Sequence, residues 1–572
     1  MIRILARRLA RHLFQSPKLP LPPSSRSYSS TPPSSTPSLS LQSHPYRIAI
    51  VGAGPASFYT ASRLLSLPGS ENIKVDLFEL VPVPFGLARF GVAPDHPSVK
   101  NCIHKFIETA QDRRLTYYGN VQISGSISTE QESSSPCSTT SSIVPNLYPS
   151  PHAYQLPIST LLPNYDTLVL TYGASLDRSL GNIPGETTLL AIDSARNFVN
   201  WYNGHPLSTL NASPSTSLDL STTGHVTIIG QGNVALDLTR ILLKPIDELK
   251  PFDVPEPVLA ELARSNVRKV EVVGRRGVLQ FAGTTKEVRE LIGLNQLGVG
   301  FRIEEELVNE GLGVLEKEKG IVDARIRKRA LGLLKKGYEE NVKDGKKDKE
   351  WELKFLKSPV EFLSSSTTNA SASPLSTPTV STILDPQRVC AVKYAHNRIP
   401  SPPSSTPLDP STWSVESTSD SSFVPTDAVF KSIGYRSIPI PGIPFDHKKG
   451  IIPNSNGRVE LPQALGKQEA NASVYVGGWL ARGPTGVIAT TMFDAFQLAD
   501  QIAMDLMQDR SVASPPAHPK QGLSLSSVEE GKRIVSWKDW ERIDEVERER
   551  GGKLGKSREK ICTVQEMLDV LD

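Results

Sequence analysis

A chain of 572 residues with 38% apolar side chains can bury the cores of two or three domains, and no apolar run in it reaches the ~18–20 residues that a bilayer-spanning helix needs. Its formal charge of +3 is unevenly spread: residues 1–43 carry Arg3, Arg7, Arg8, Arg11, Lys18 and Arg26 and no acid, so the rest of the chain stands at −3, which argues against nucleic acid as a partner. None of the four cysteines, Cys102, Cys137, Cys390 and Cys562, lies in a C-x-x-C pair, which argues against a metal site and against disulfide exchange.

The first acidic residue is Glu71. An arginine- and serine-rich, acid-free lead has the composition of an organelle targeting segment. Residues 1–14 would form a basic amphipathic helix, and Arg26-Ser27-Tyr28 followed by Ser29 resembles a mitochondrial processing site. The expectation is therefore a transit peptide and disordered lead over 1–43, with the mature protein in the mitochondrial matrix.

Residues 46–65 read as strand, glycine turn and helix: Arg47-Ile48-Ala49-Ile50-Val51, then Gly52-Ala53-Gly54-Pro55-Ala56-Ser57, then a helix. Small residues let the backbone turn tightly and approach a pyrophosphate, which the positive end of the helix attracts. Ser57 takes the third glycine position, being small enough for close packing. After the next strand, 75–78, comes Glu79, about 25 residues beyond Gly54. An acid there accepts hydrogen bonds from ribose hydroxyls and repels a 2′-phosphate, which suits the adenosine of FAD.

A second unit follows at 226–243, with Gly230-Gln231-Gly232-Asn233-Val234-Ala235 as its turn. Its next strand, 270–273, runs into Gly274-Arg275-Arg276-Gly277 about 40 residues after the turn, so the helical stretch 251–265 is an inserted connection. Arg275 and Arg276 occupy the place of the acid, and guanidinium groups match the 2′-phosphate of NADPH. Residues 126–150, 207–223, 364–380 and 400–422 are rich in Ser, Thr and Pro and read as surface loops. Arg325-Ile326-Arg327-Lys328-Arg329, then Lys335 and Lys336, form a basic run on a helix; Arg325 and Arg329 share a face. Residues 474–506 return to strand, glycine turn and helix, and the charged tail 529–572 reads as an extended surface arm anchored by Trp537 and Trp540.

One site for FAD and one for NADPH imply hydride transfer from nicotinamide to flavin, and a flavin can then release electrons singly. Here the resemblance becomes specific. Pro84-Phe85-Gly86-Leu87-Ala88-Arg89-Phe90-Gly91-Val92-Ala93-Pro94-Asp95-His96-Pro97, Gly230-Gln231-Gly232-Asn233-Val234-Ala235-Leu236-Asp237 and Gly478-Trp479-Leu480-Ala481-Arg482-Gly483-Pro484-Thr485-Gly486-Val487-Ile488 resemble the adrenodoxin reductase family, the mitochondrial ferredoxin–NADP+ reductases.

That resemblance implies an α/β protein of two Rossmann-like domains, the NADP domain (176–428) inserted into a discontinuous FAD domain (44–175 and 429–572). The two returns between them look like Tyr165 to Gly173 and Asp427 to Gly434. FAD is then expected on Gly52, Gly54, Ala56, Glu79, Leu87, Ile123, Trp479, Gly486, Val487 and Ile488. NADP is expected on Gln231, Gly232, Asn233, Val234, Arg275, Arg276, Glu287 and Gly486, so that Gly486 touches both. His96 and Asp237 become candidates for a polar link that positions groups or relays protons near the flavin. The implied partner is an acidic 2Fe–2S ferredoxin of the adrenodoxin type, steered by Arg325 and Arg329. Further implications are a monomer, peripheral association with the inner membrane, and electrons for Fe–S assembly, haem or hydroxylation chemistry. Competing readings are another two-dinucleotide flavoenzyme, such as a monooxygenase or a glutamate-synthase module, and a non-catalytic FAD-binding scaffold, against which both intact glycine turns argue.

Overall fold

Strand β1 (Tyr46–Val51) is buried along almost its whole length, as a strand covered on both faces of a parallel sheet must be. It pairs in parallel with β2 (Ile73–Phe78), which pairs with β3 (Leu115–Tyr118), and on its other side with β4 (Thr167–Leu170). Side chains alternate between two cores: Ile48 and Ile50 enter one, Ala49 and Val51 the other. This computed structural model describes residues 45–125, 150–211, 218–365, 387–400, 408–462, 472–512 and 520–572. The lead 1–43 and nearly all of 126–150 lie outside the described residues, as do most of 364–380 and the first part of 400–422.

The chain then builds a second parallel sheet from β5 (Ile192–Ser194), β6 (His225–Ile229), β7 (Lys269–Val273), β8 (Val299–Ile303) and β9 (Lys349–Lys354). Next come β10 (Lys357–Ser364), β11 (Val389–Arg398) and β12 (Glu416–Pro425), an antiparallel sheet with β11 in the centre. Strand β13 (Ala428–Lys431) returns beside β6, giving the six-stranded order β8-β9-β7-β6-β13-β5. Finally β14 (Ser473–Val476) pairs with β4, completing the five-stranded order β14-β4-β1-β2-β3. The second sheet is thus contiguous in the chain, and the first is interrupted by it. The helix Glu256–Ala263 fills the long connection before β7.

Four expectations are corrected. The stretch Asp427 to Gly434 is not a return to the first sheet: β13 pairs with β6 and β5. The 428/429 boundary therefore falls inside a strand of the second sheet. Within 400–422, residues from Glu416 belong to β12, an edge strand paired to β11. Its serines and threonines are tolerated because both its faces are largely exposed, and Ser417, Thr418 and Ser422 add side-chain hydrogen bonds to the facing residues of β11. In 207–223, Leu210, Leu218 and Leu220 are buried in the core of the second sheet rather than looped over it.

The tail is not an extended arm. It forms the helix Trp537–Lys553, started by a Ser536–Asp539 capping box, and the helix Val564–Asp569. Trp540 and Ile543 enter the core of the first sheet. The buried face runs Trp540, Ile543, Glu547, Gly551, and Glu547 is wholly buried against Arg89 at 2.6 Å. Residues after that helix reach the second domain: Lys556 Nζ donates to the Val254 carbonyl (2.7 Å), and Lys560 pairs with Asp253 (3.0 Å), which also holds Lys100 (2.8 Å). Burial lowers the Lys560 ammonium to about 7 despite the attraction of Asp253.

Candidate active site

Gly52 follows β1 with φ +99°, and a Cβ there would stand 2.7 Å from the Tyr172 Cα. Only glycine fits both demands. Gly54 does a different job. It caps the helix Pro55–Ser66 with no side-chain hydrogen bond, and its missing Cβ points into open space. A helix start left uncapped above an open cradle offers its N–H groups to an anion. The Ser57 hydroxyl is spent inside, hydrogen-bonded to Thr171 Oγ1 at 2.9 Å, which explains how serine serves in a glycine position.

Of the other residues expected at the first nucleotide, Glu79 bonds this turn directly, and Leu87 and Trp479 follow glycines that pack on it. The Glu79 carboxylate accepts the Ala53 N–H at 2.7 Å, tying the end of β2 to the turn, and burial pushes its pKa up. Its remaining lone pairs are the ones a ribose could use. Gly86 packs so closely on Gly54 that a Cβ would lie 3.3 Å from the Gly54 Cα, and Leu87 follows it half-buried in the short helix Gly86–Phe90. Half-buried Ile123 sits on the short strand Val121–Ser124, where the Val121 N–H bonds the Glu79 carbonyl (2.8 Å). From the far edge, Gly478 approaches Ala56, and half-buried Trp479 faces Tyr435 with ring centroids 6.1 Å apart. Gly486 (φ +79°) and Val487 are exposed just before the helix Ile488–Val512, in which Ile488 is half-buried.

The second turn repeats the pattern at the end of β6. Gly230 has φ +115°, and a Cβ would come 2.0 Å from the Ser432 carbonyl oxygen. Gly232 caps the helix Asn233–Leu243 without a side-chain bond, again over open space. Two side chains expected at the second nucleotide are committed to the protein instead. Gln231 Nε2 donates to the Lys354 carbonyl (2.8 Å), and Asn233 Oδ1 accepts the Thr284 N–H (2.9 Å). Their backbone N–H groups, with that of half-buried Val234, are what the turn offers. Arg275 and Arg276 are exposed, and neither guanidinium has a partner among the described residues. Glu287 lies in the first turn of the helix Thr285–Gly293, receives the Thr284 hydroxyl, and is pushed up by burial and by Asp237.

The two turns predict contrasting alanine variants. Gly230→Ala should lower stability by ~1–3 kcal/mol from its backbone conformation alone, plus the contact with Ser432. Gly232→Ala should leave the thermal midpoint within a degree or two and still obstruct the second cradle. Thermal melts alongside nucleotide titration check both.

His96 and Asp237 are not bonded to each other. His96 Nε2 pairs with Glu290 Oε2 at 2.6 Å, and Asp237 pairs with Arg240 at 2.8 Å. Arg240 is 2% exposed and also grips Asp95 at 2.8 Å and Glu290 at 3.5 Å; Lys244 adds a second cation on Asp95. Burial would raise Asp95, but Arg240 and Lys244 hold it well below the usual carboxylate range. Burial does raise Asp237, against Arg240 and His96. The link between the loop at 95–96 and the second domain therefore runs through Arg240 and Glu290. Sequence reading missed both; the Asp237–Arg240 spacing of one helical turn was the signal available.

Arg325 and Arg329 lie exposed on the helix Ala324–Asp344 with no partner among the described residues. Their neighbours are engaged: Lys328 with Glu316 (2.9 Å), and Arg327 with the Val322 carbonyl (3.0 Å).

No family model matches the chain. Curated proteins resemble it over nearly its full length. The mitochondrial NADPH:adrenodoxin oxidoreductase of Homo sapiens is 39% identical over 557 residues, covering 94% of this chain and 96% of that one. The protein of the same name from Salvelinus fontinalis is 38% identical over 531 residues (92% and 91%), and that from Arabidopsis thaliana 35% over 532 (92% and 96%). Among solved structures, Mycobacterium tuberculosis FprA in complex with NADPH superposes with a TM-score of 0.69 at 30% identity, covering 92% of this chain and 100% of the other.

Proposed function

The chain belongs to the adrenodoxin reductase family, and on that premise we propose that it passes electrons from NADPH through FAD to a mitochondrial 2Fe–2S ferredoxin of the adrenodoxin type. The reaction is NADPH plus two oxidised ferredoxins to NADP+, a proton and two reduced ferredoxins. The observation that carries it is a pair of uncapped glycine turns over open cradles, the second of which is followed by two arginines that have no partner among the described residues.

FAD, when held at the first turn, takes the two electrons of a hydride and returns them one at a time. The protein's part is to bind, orient and insulate. Gly52, Gly54 and Ala56 let backbone N–H groups meet the first pyrophosphate, with Glu79 toward its ribose, and Leu87, Ile123 and Trp479 wall the cradle. The N–H groups from Gln231 to Val234 meet the second pyrophosphate, Arg275 and Arg276 grip the 2′-phosphate, and Glu287 and Gly486 border the nicotinamide end. Val487 and Ile488 open the helix beside Gly486. His96 and Asp237, with Glu290 and Arg240, fix the approach of the two domains across which the hydride passes. Residues 192–431 form the NADP domain, and the FAD domain is what flanks them.

The enzyme works in mitochondria. We assign it to the matrix as a monomer, loosely associated with the inner membrane; among the described residues no helix is long and apolar enough to cross a membrane. Arg325 and Arg329, exposed and without a partner among the described residues, are the cations offered to an acidic ferredoxin. The purified full-length protein should be yellow, lose its flavin absorbance on anaerobic addition of NADPH, and reduce a 2Fe–2S ferredoxin at a rate that falls with salt. A colourless protein, or one bleached equally by NADH and NADPH, overturns the reading.

A further inference from the structure

Resting on the phosphate-grip reading of Arg275 and Arg276, we propose that Asn397 is the positioning residue that aims these arginines, so that specificity for the 2′-phosphate is set in part by the antiparallel sheet β10–β12. The two guanidinium groups are exposed and unpartnered among the described residues, so their own side chains do not fix their direction. Only the backbone of Gly274 to Gly277 can. Its hydrogen bonds lead to the end of β9, to Leu356 and Lys357 at the start of β10, to the end of β11 and, from the Gly277 N–H, to Gln280 Oε1 (3.2 Å). The Gly274 N–H donates to the Lys354 carbonyl (2.8 Å), and the Lys357 N–H donates to the Gly274 carbonyl (3.0 Å). The Arg276 carbonyl accepts the Leu356 N–H (3.1 Å), and the Arg275 carbonyl accepts Asn397 Nδ2 at 2.9 Å.

Asn397 is the one side chain from β11 in this set, and its orientation leaves no freedom. A carbonyl oxygen can only accept, so the amide group facing Arg275 must be the NH2. The second amide hydrogen goes to Ser358 Oγ (2.9 Å), and Oδ1 accepts the Ser417 hydroxyl (3.2 Å). Its backbone N–H also holds the Leu356 carbonyl (2.7 Å), and Leu356 stands at φ +56°, a conformation that a non-glycine residue keeps only under restraint. Asn397 thus secures both neighbours of the loop, directly at Arg275 and through Leu356 at Arg276. It is 7% exposed, and the register of β11 on β12 shifts between Ala395 and Asn397. Such an irregularity re-aims a side chain relative to a regular strand.

The test uses the FAD-loaded full-length enzyme. Asn397→Asp keeps the shape and loses the donor; Asn397→Leu loses it without adding charge. Both should raise the KM for NADPH roughly tenfold, with a smaller change in kcat and less than a twofold change in the KM for NADH. In an Arg275→Ala, Arg276→Ala background, Asn397→Asp should add no further loss, because the residue acts through the arginines. Ser358→Ala, which frees one amide hydrogen, gives the same direction at smaller size if the Asn397 variants do not fold. An arginine pair whose loss leaves the NADPH preference intact sinks the phosphate-grip reading itself. If that loss abolishes the preference while the Asn397 and Ser358 variants keep it, or raise both KM values equally, the positioning role is overturned and the reading stands.

Discussion

Replacing Arg275 and Arg276 together by alanine should raise the KM for NADPH about a hundredfold or more and leave that for NADH within about twofold. A hydrogen bond between charged groups contributes about 1.5–3 kcal/mol. Two guanidinium groups on one phosphate therefore contribute about 3–6 kcal/mol, or factors of about 10² to 10⁴. The site is open to water, so screening favours the lower end. Because neither side chain has a protein partner among the described residues, their loss should cost the fold almost nothing. The affinity change is thus read free of unfolding, by steady-state kinetics with each nucleotide at saturating ferredoxin and by unchanged thermal melts. An unaltered ratio of the two KM values removes the argument for a dedicated phosphate grip.

The second large effect is on stability. Glu547→Ala should lower stability by about 3–5 kcal/mol, because it strands a buried cation. Arg89 is 3% exposed and places Nη2 at 2.6 and 2.7 Å from the two carboxylate oxygens of Glu547. Glu547 also takes Arg558 at 3.0 Å and the Ile561 N–H at 3.0 Å, so one carboxylate joins the tail helix, the segment after it and the short helix behind the first glycine turn. Arg558 keeps Asp544 when Glu547 is gone; Arg89 keeps its places by the Phe90 and Trp540 rings, 5.1 and 5.2 Å from their centroids, but no carboxylate among the described residues. Calorimetry should show a fall of several degrees in the midpoint, with FAD retained less firmly. The double replacement Arg89→Met with Glu547→Leu should recover much of it, since apolar groups of similar volume substitute for a buried ion pair at little cost. A shift under one degree in Glu547→Ala would show that the pair is not what secures the tail.

Both glycine turns, the strands before and after them and the arginine pair were legible in the sequence. Their signals are local: a β-branched run, small residues at fixed spacing, a charge at the next strand end. What stayed hidden depends on partners. Ala428-Val429-Phe430-Lys431 reads as a buried parallel strand in either sheet, because an apolar run carries no mark of the neighbour it will choose. The tail helix was obscured by its own charges: Glu547 occupies a core position that periodicity assigns to an apolar residue. Strand β12 is nearly all polar, so only its pairing with β11 makes it a strand. His96 was found as a motif residue, yet its partner Glu290 lies almost two hundred positions away.

The interrupted first sheet has a consequence for how the protein is made. Strands β1 to β4 leave the ribosome about 300 residues before β14, the strand that covers the open flank of β4. The helix Trp537–Lys553, which sends Trp540 and Ile543 into one core of that sheet, comes later still in the chain. The contiguous second lobe has all its strands by residue 431 and needs no later segment to complete its sheet. The nascent first lobe must wait with an exposed strand edge, a state prone to wrong pairing. The cradle whose strands come first in the chain is therefore the last to have its sheet completed.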